Sequence, residues 1–100
     1  MAEDYAAHVA ADCRLIILRS LHRETSGTLN ETLLQRSLET YGHAKTRDYV
    51  RTQMRALADL GALTIREAGT VLIASISRLG VDHVERRTVI EGVLRPSPEA

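Results

Sequence analysis

The chain contains no tryptophan and no phenylalanine, and its 100 residues include one cysteine and two prolines. Its core must therefore be built from aliphatic side chains and methionine. A single cysteine cannot form an internal disulfide, which fits a reducing compartment. No apolar run approaches the ~20 residues that a membrane span requires, and residues 1–4 lack a signal-peptide pattern. We expect a cytoplasmic protein that does not associate with membranes.

Net charge is also absent, because 13 Lys and Arg residues balance 13 Asp and Glu residues. No field of the whole chain therefore draws it towards an anionic surface. The charges are unevenly distributed, however. Residues 14–55 contain eight bases and four acids, and the remaining residues contain five bases and nine acids. This asymmetry favours contact between the first half and an anionic partner.

Apolar residues recur at helical spacing in three segments, which predict helices over residues 4–24, 30–41 and 46–60. Asn30 and Thr46 are the expected N-caps of the second and third helices, while Gly42 and Gly61 are expected to end them. The stretch TSGTLN, residues 25–30, contains turn-forming residues and predicts a break between the first two helices.

The pattern changes to alternation after the third helix. ALTIRE and TVLIASIS have the composition of strands, and the short turn between them predicts a β-hairpin. A short helix is predicted within residues 81–86. The segment that follows has two alternatives: it packs across the domain or onto a partner subunit, or it is a loose tail that touches its own core.

This order of elements predicts a mainly α fold with a β-hairpin, namely a winged helix-turn-helix of three helices and a two-stranded wing. The predicted domain covers residues 1–88, and residues 89–100 form an extended C-terminal tail. In winged-helix proteins the third helix is presented to the major groove of DNA.

Arg47, Arg51 and Arg55 are four residues apart and are expected to form one exposed row on the third helix. Arginine pairs with guanine and glutamine with adenine through two hydrogen bonds each, so we predict that residues 46–60 bind double-stranded DNA. The alternative is an ordinary solvated face. The predicted DNA-binding residues are Arg36, Lys45, Thr46, Arg47, Tyr49, Arg51, Thr52, Gln53 and Arg55. In the wing, Glu67 offsets Arg66, which predicts little contact with DNA.

Other chemistry finds little support in the sequence. The four histidines and Cys13 lack the spacing of metal ligands, and neither a phosphate-binding loop nor a catalytic pattern is present. We therefore expect no metal, no cofactor and no enzymatic activity. A homodimer is expected, because one such module gives limited affinity. The alternatives are a module that binds a protein instead of DNA and, less favoured, a sensor of a small ligand.

Several motifs are similar to those of small winged-helix proteins of Mu-like prophages, which are often described as ArsR-like transcriptional regulators. The resemblance lies in VRTQ at residues 50–53, LADLGALTI at 57–65, SRLGVDHVE at 77–85 and GVLRPSP at 92–98. It implies a winged-helix fold and a DNA-binding or phage-regulatory role. Metal sensing is not implied, since the Cys-x-Cys of metal-responsive ArsR-like proteins is missing.

Overall fold

The computed structural model describes residues 2–98, with side chains from residue 4 onwards, and in this range it contains four helices and three strands. Their order along the chain is α1 (Ala2–Arg23), β1 (Thr28–Asn30), α2 (Glu31–Thr40), α3 (Arg47–Asp59), β2 (Leu63–Ala68), β3 (Val71–Ile76) and α4 (Arg78–Val84). The predicted three helices and hairpin are confirmed. No helix within residues 2–98 is long and apolar enough to cross a membrane.

The predicted helix ends are confirmed by their hydrogen bonds. The side chain of Asn30 accepts from the backbone N–H of Leu33 at 2.9 Å, and Thr46 accepts from that of Tyr49 at 3.1 Å. Gly42 and Gly61 follow α2 and α3 with φ angles of 94° and 82°, a region that favours glycine because it has no Cβ. Local chemistry therefore sets both boundaries of the turn between α2 and α3.

The sheet differs from the predicted two-stranded wing, because β1 adds a third strand in the antiparallel order β1-β3-β2. Leu29 pairs with Ala74, and the hydroxyl groups of Thr28 and Ser75 lie 2.8 Å apart. The strand has three residues, too few for an alternating pattern. Its stability comes from pairing with β3, which lies more than forty residues further along the chain.

The core is aliphatic and centres on α1, which contributes a continuous buried segment from residue 15 to residue 18. The buried apolar residues of the core, taken from all parts of the domain, are Cys13, Leu15, Ile16, Ile17, Leu18, Leu21, Leu34, Leu38, Val50, Met54, Leu57, Ala62, Leu63, Leu72, Ala74, Ile90 and Val93. Because α1 contacts every other helix and strand β3, it forms the axis around which the helix pair and the sheet are arranged.

Helix α4 begins three residues before the predicted start, with the Ser77 side chain as its N-cap. The first turn of α4, which the sequence does not predict, contains Gly80, a residue type that disfavours helices. Its position has a packing reason, since a Cβ there would lie 2.2 Å from the carbonyl oxygen of Ala62. The backbone of α4 can approach the loop after α3 this closely only with glycine.

The segment after α4 packs across its own domain. Ile90 and Val93 are buried, and the backbone N–H of Leu94 donates to the Ala11 carbonyl of α1. The buried ring of His83 accepts from the N–H of Ile90 through Nδ1 and lies 2.9 Å from the Leu94 carbonyl through Nε2. The segment from Ile90 to Leu94 is thus held by its buried side chains, by the hydrogen bond to α1 and by His83.

Candidate nucleic-acid interface

Helix α3 carries most of the predicted DNA-binding residues, and its side chains divide into three groups. Val50, Gln53, Met54 and Leu57 are buried against the rest of the domain. Arg47 and Arg51 lie on the side towards α2 and the hairpin, with Arg51 only partly exposed. Asp48, Thr52 and Arg55 are exposed. The predicted row of three equivalent arginines is therefore wrong for Arg51.

The reason is a buried carboxylate at the start of α2. The side chain of Glu31 is 0% exposed and receives two hydrogen bonds from Arg51, Nε to Oε2 at 2.5 Å and Nη2 to Oε1 at 2.8 Å. The backbone N–H of Leu72 donates to the same Oε1 at 2.8 Å. Glu31 therefore joins α2, α3 and β3, and we call Glu31, Arg47 and Arg51 the Glu31 cluster.

Hydrogen bonding and charge stabilise the ionised form of this carboxyl group. The hydrogen bonds from Arg51 hold the pKa of Glu31 below its usual value, and the Leu72 N–H adds to this effect, while burial opposes it. The same pair raises the pKa of Arg51 above its usual value. The pair is thus a charged, bidentate contact, and both of its partners are ionised at neutral pH.

The remaining hydrogen-bonding capacity of Arg51 is directed at the hairpin, since its Nη2 also donates to the carbonyl oxygen of Thr70 at 2.5 Å. Arg47 is less constrained. Its side chain is 51% exposed, its Nε lies 3.8 Å from Glu31, and its Nη2 donates to the Thr32 hydroxyl at 3.3 Å. Arg51 therefore holds the hairpin turn against α3, whereas Arg47 lies on the solvent side of the Glu31–Arg51 pair.

Gln53, one of the predicted DNA-binding residues, faces the interior and not a DNA groove. Only 4% of the residue is exposed, and its Oε1 accepts from Nε of Arg14 at 2.7 Å. Arg14 also donates to the carbonyl oxygen of Gly92 at 3.0 Å. The amide of Gln53 helps to join α3, α1 and the segment after α4, so it cannot pair with a base.

Tyr49, Lys45 and Thr46 form the entrance to α3. Tyr49 is half-buried, and its pKa is raised chiefly by burial, with the neighbouring Cys13 thiol adding to the effect. The ammonium group of Lys45 lies 4.8 Å from the centre of the tyrosine ring, a cation–π contact. Thr46 uses its side chain as the helix cap. Tyr49 is thus a packing residue, whereas Lys45 remains near the surface.

Arg36 is exposed as predicted, but it lies on a different surface. It lines a groove between α1 and α2 together with Arg23, Leu29 and Leu33. The arginines of α3 line a separate groove against the hairpin, with Glu67 and Thr70 on its other side. The structure therefore does not bring Arg36 together with the other predicted DNA-binding residues.

Thr52 and Arg55 are the predicted residues that remain exposed on α3 without serving an ion pair. The hydroxyl of Thr52 donates to the carbonyl oxygen of Asp48 one turn earlier. Among residues 4–98, no hydrogen-bond or ion-pair partner of Arg55 is present. Asp48 and Asp59 are exposed on the same helix, so its outer surface carries both signs of charge.

Two residues that organise this region are absent from the predicted set. Glu31 lies in the first turn of α2, where an acidic residue stabilises the helix N-terminus whatever the direction of its side chain. Arg14 belongs to α1, and its partners are 39 and 78 residues away. Neither residue has a local signal, because burial and pairing depend on which elements meet in the folded domain.

Two proteins are similar to this chain over most of its length. The uncharacterized protein gp26 of Escherichia phage Mu is 38% identical over 89 residues, which are 89% of this chain and 92% of the phage protein. An uncharacterized protein of Haemophilus influenzae is 38% identical over 71 residues, 70% of this chain and 69% of that protein. No protein-family model matches the chain, and no solved structure matches it.

Proposed function

Since the chain belongs to the family of the phage Mu protein gp26, we propose that it is a cytoplasmic winged-helix protein that binds double-stranded DNA in a Mu-like phage or prophage. In this proposal it acts as a transcriptional regulator, and α3 reads the major groove. The supporting arrangement is a helix-turn-helix, formed by α2 and α3, followed by a hairpin.

The observation that carries the proposal is the exposed side of α3. Arg55 and Thr52 are directed away from the core, lie one turn apart and leave their outer atoms accessible. Arginine and threonine are suited to base edges and phosphates alike. Arg47, half exposed at the start of α3, supplies a third hydrogen-bond donor for the phosphate backbone of DNA.

The Glu31 cluster takes a supporting role in this proposal. Base readout requires a helix held at a fixed angle, and Arg51 connects the first half of α3 to both α2 and the hairpin turn. Arg51 thereby contributes to recognition by positioning the helix. Contacts to DNA come from Arg47, Thr52 and Arg55, with Lys45 on a phosphate.

A homodimer follows from the same requirement for affinity. One module of this size contacts few base pairs, and two-fold symmetric dimers read half-sites about one helical turn apart. The N-terminal part of α1 is available for such a contact, since residues 4–8 are all exposed and Tyr5 is 73% exposed. Sedimentation velocity of the full chain, compared with Tyr5→Ala, tests this contact.

DNA binding is tested by fluorescence anisotropy with labelled duplexes, both random and from the genomic neighbourhood of the gene. Arg55→Ala and Thr52→Ala should weaken binding, while circular dichroism should report an unchanged fold. Arg78→Ala is the matched control, because it removes an 86% exposed arginine of α4 that does not line the groove of the α3 arginines. Equal affinity of the Arg55→Ala and wild-type proteins would exclude α3 as the reading helix.

A second function has its own support. Asp48 and Asp59 share the exposed part of α3 with Arg55, and Leu60 and Leu79 are 37% and 38% exposed near its end. A surface of mixed charge beside apolar residues suits a protein partner. In that case the chain is a phage accessory module that binds a protein partner. Partner binding should then be insensitive to salt, and Leu79→Asp should abolish it.

A further inference from the structure

A second group of arginines lies away from α3, along the surface where α1 meets the end of α4 and the tail. The members of this group, the tail-side arginines, are Arg19 and Arg23 of α1, Arg86 after α4 and Arg95 of the tail. Three grooves connect them. Arg19 and Arg23 line both the first and the second groove, and Arg86 lines both the second and the third, where Arg95 also lies.

The tail-side arginines differ from those of the Glu31 cluster in how their charges are paired. Within residues 4–98, none of the four forms an ion pair, and Arg23 donates only to the Tyr41 hydroxyl. The acids beside these grooves are already bonded: Asp12 to His43, and Glu85 to His22 and Arg87. The positive charge of this surface is therefore available to a ligand.

The dipole of α1 explains part of this arrangement and not the rest. His22 and Arg23 stand in its last turn, where cations are favourable. Arg19 lies one turn earlier, and Arg86 and Arg95 belong to other segments. Three separate parts of the chain thus contribute guanidinium groups to one surface, and none of these groups forms an ion pair with a described side chain.

The backbone of Arg86 is a second, independent observation. Its φ of 65° lies in the left-handed region, and it is the single non-glycine residue with positive φ among residues 2–98. It ends α4 through the hydrogen bonds Arg86 N–H to His83 and Arg87 N–H to Asp82, a role usually taken by glycine. A strained position with a large side chain indicates that the side chain has a use.

We infer that the tail-side arginines bind the phosphodiester backbone of duplex DNA. Arginine binds phosphate oxygens through two parallel hydrogen bonds and keeps its charge at every physiological pH. A row of guanidinium groups across three adjoining grooves matches a repeating anion better than one isolated phosphate. Contacts of this kind position a protein on DNA and carry no sequence information.

The inference shares its ligand with the proposed function but uses other residues, so either can fail alone. The experiment measures anisotropy of a random-sequence duplex with the full chain over a series of salt concentrations. The test variant is Arg19→Ala/Arg86→Gly/Arg95→Ala, in which glycine suits the left-handed backbone. Arg23 is retained because of its bond to Tyr41. Thr52→Ala/Arg55→Ala tests α3, and Arg78→Ala is the control, an 86% exposed arginine on α4.

Each phosphate contact contributes ~0.9 to the slope of log affinity against log salt, so the triple variant should lower that slope by about 2 to 3. Its affinity should fall at low salt while its thermal unfolding stays like that of the wild type. Arg78→Ala should change neither. If only the α3 variant loses affinity, the inference is overturned and the proposed function stands.

The opposite result, in which only the triple variant loses affinity, supports the inference and shows that Thr52 and Arg55 make no phosphate contacts. Absence of wild-type binding at low salt overturns both proposals and directs the search to an acidic protein partner. If Arg78→Ala lowers the slope as much per arginine as the triple variant does, the effect is one of overall charge, and the assigned surface is wrong.

Discussion

Arg51 and Arg86 illustrate two different uses of arginine in one small domain. Arg51 donates hydrogen bonds to the buried Glu31 carboxylate and to the Thr70 carbonyl oxygen, so its charge is balanced inside the domain. Arg86 meets no acid within residues 4–98 and takes a strained backbone conformation at the surface. Position on a predicted recognition helix is therefore a poor guide to which arginine is free for a ligand, because the deciding factor is the nearest acid.

The largest effect is expected from Arg51→Ala, which leaves Glu31 charged, buried and deprived of two hydrogen bonds. Loss of one partner of a buried pair typically costs about 3–5 kcal/mol, and the partial exposure of Arg51 places the cost near the lower end. Urea unfolding measures it. The control is Arg55→Ala, four residues along the same helix, which should stay within ~0.5 kcal/mol of wild type. Equal losses in both variants would remove the distinction between the two arginines.

The second prediction concerns pH and isolates the carboxylate. The folded-state pKa of Glu31 lies below the ordinary value of 4.5, so its contribution is complete above that pH and is lost as the pH falls through the folded value. The free energy of unfolding of the wild type should therefore decline below about pH 4.5 more steeply than that of Glu31→Gln.

The comparison of Glu31→Gln with wild type cancels the other acids, including Glu85, whose pKa is also lowered, by bonds from His22 and Arg87. Parallel pH profiles of the two proteins would contradict the assignment of an ionised Glu31 to the folded state. Guanidinium-induced unfolding at a series of pH values supplies both curves.

A smaller loss is expected from Gln53→Ala. The variant leaves Nε of Arg14 without its acceptor and should cost about 1–3 kcal/mol. Its neighbour Thr52 is exposed, and Thr52→Ala should change the free energy of unfolding by less than ~0.5 kcal/mol. Comparison of the two variants distinguishes the interior role of Gln53 from the surface position of Thr52. Greater destabilisation by Thr52→Ala would reverse the assignment.

The smallest change in stability is expected from Arg86→Gly. Glycine adopts the left-handed conformation without a Cβ conflict but loses more conformational freedom on folding, so we expect a gain between zero and ~1 kcal/mol. Differential scanning calorimetry measures it. A clear loss of stability would mean that the Arg86 side chain holds the fold together, in contrast to the use proposed for it.

The sequence predicted those parts of the fold that depend on neighbouring residues. Asn30 and Thr46 cap their helices through bonds that span three residues, and glycines follow both α2 and α3, so both helices were found. β1 was missed because its hydrogen bonds come from β3. The start of α4 was missed because Gly80 serves a tertiary contact at the expense of helix propensity.

Within the candidate interface, exposure of Thr52 and Arg55 followed from helical spacing, because an apolar stripe fixes the opposite side of a helix. Gln53 was misplaced since its spacing puts it at the boundary of that stripe, where a single partner decides its direction. That partner, Arg14, lies on another helix. Spacing orders residues around one helix axis but contains no information about what the adjacent element offers.

The sequence by itself determined the aliphatic core, the helix limits, the hairpin and the arginines spaced by four along α3, since each of these depends on composition or on contacts a few residues apart. Tertiary structure alone decided which charges are used. Glu31 is buried where α2, α3 and β3 meet, and a buried carboxylate requires a counter-charge within hydrogen-bonding distance. Arg51 therefore pairs with Glu31, whereas Arg55, one turn further along α3, has no acidic partner within residues 4–98.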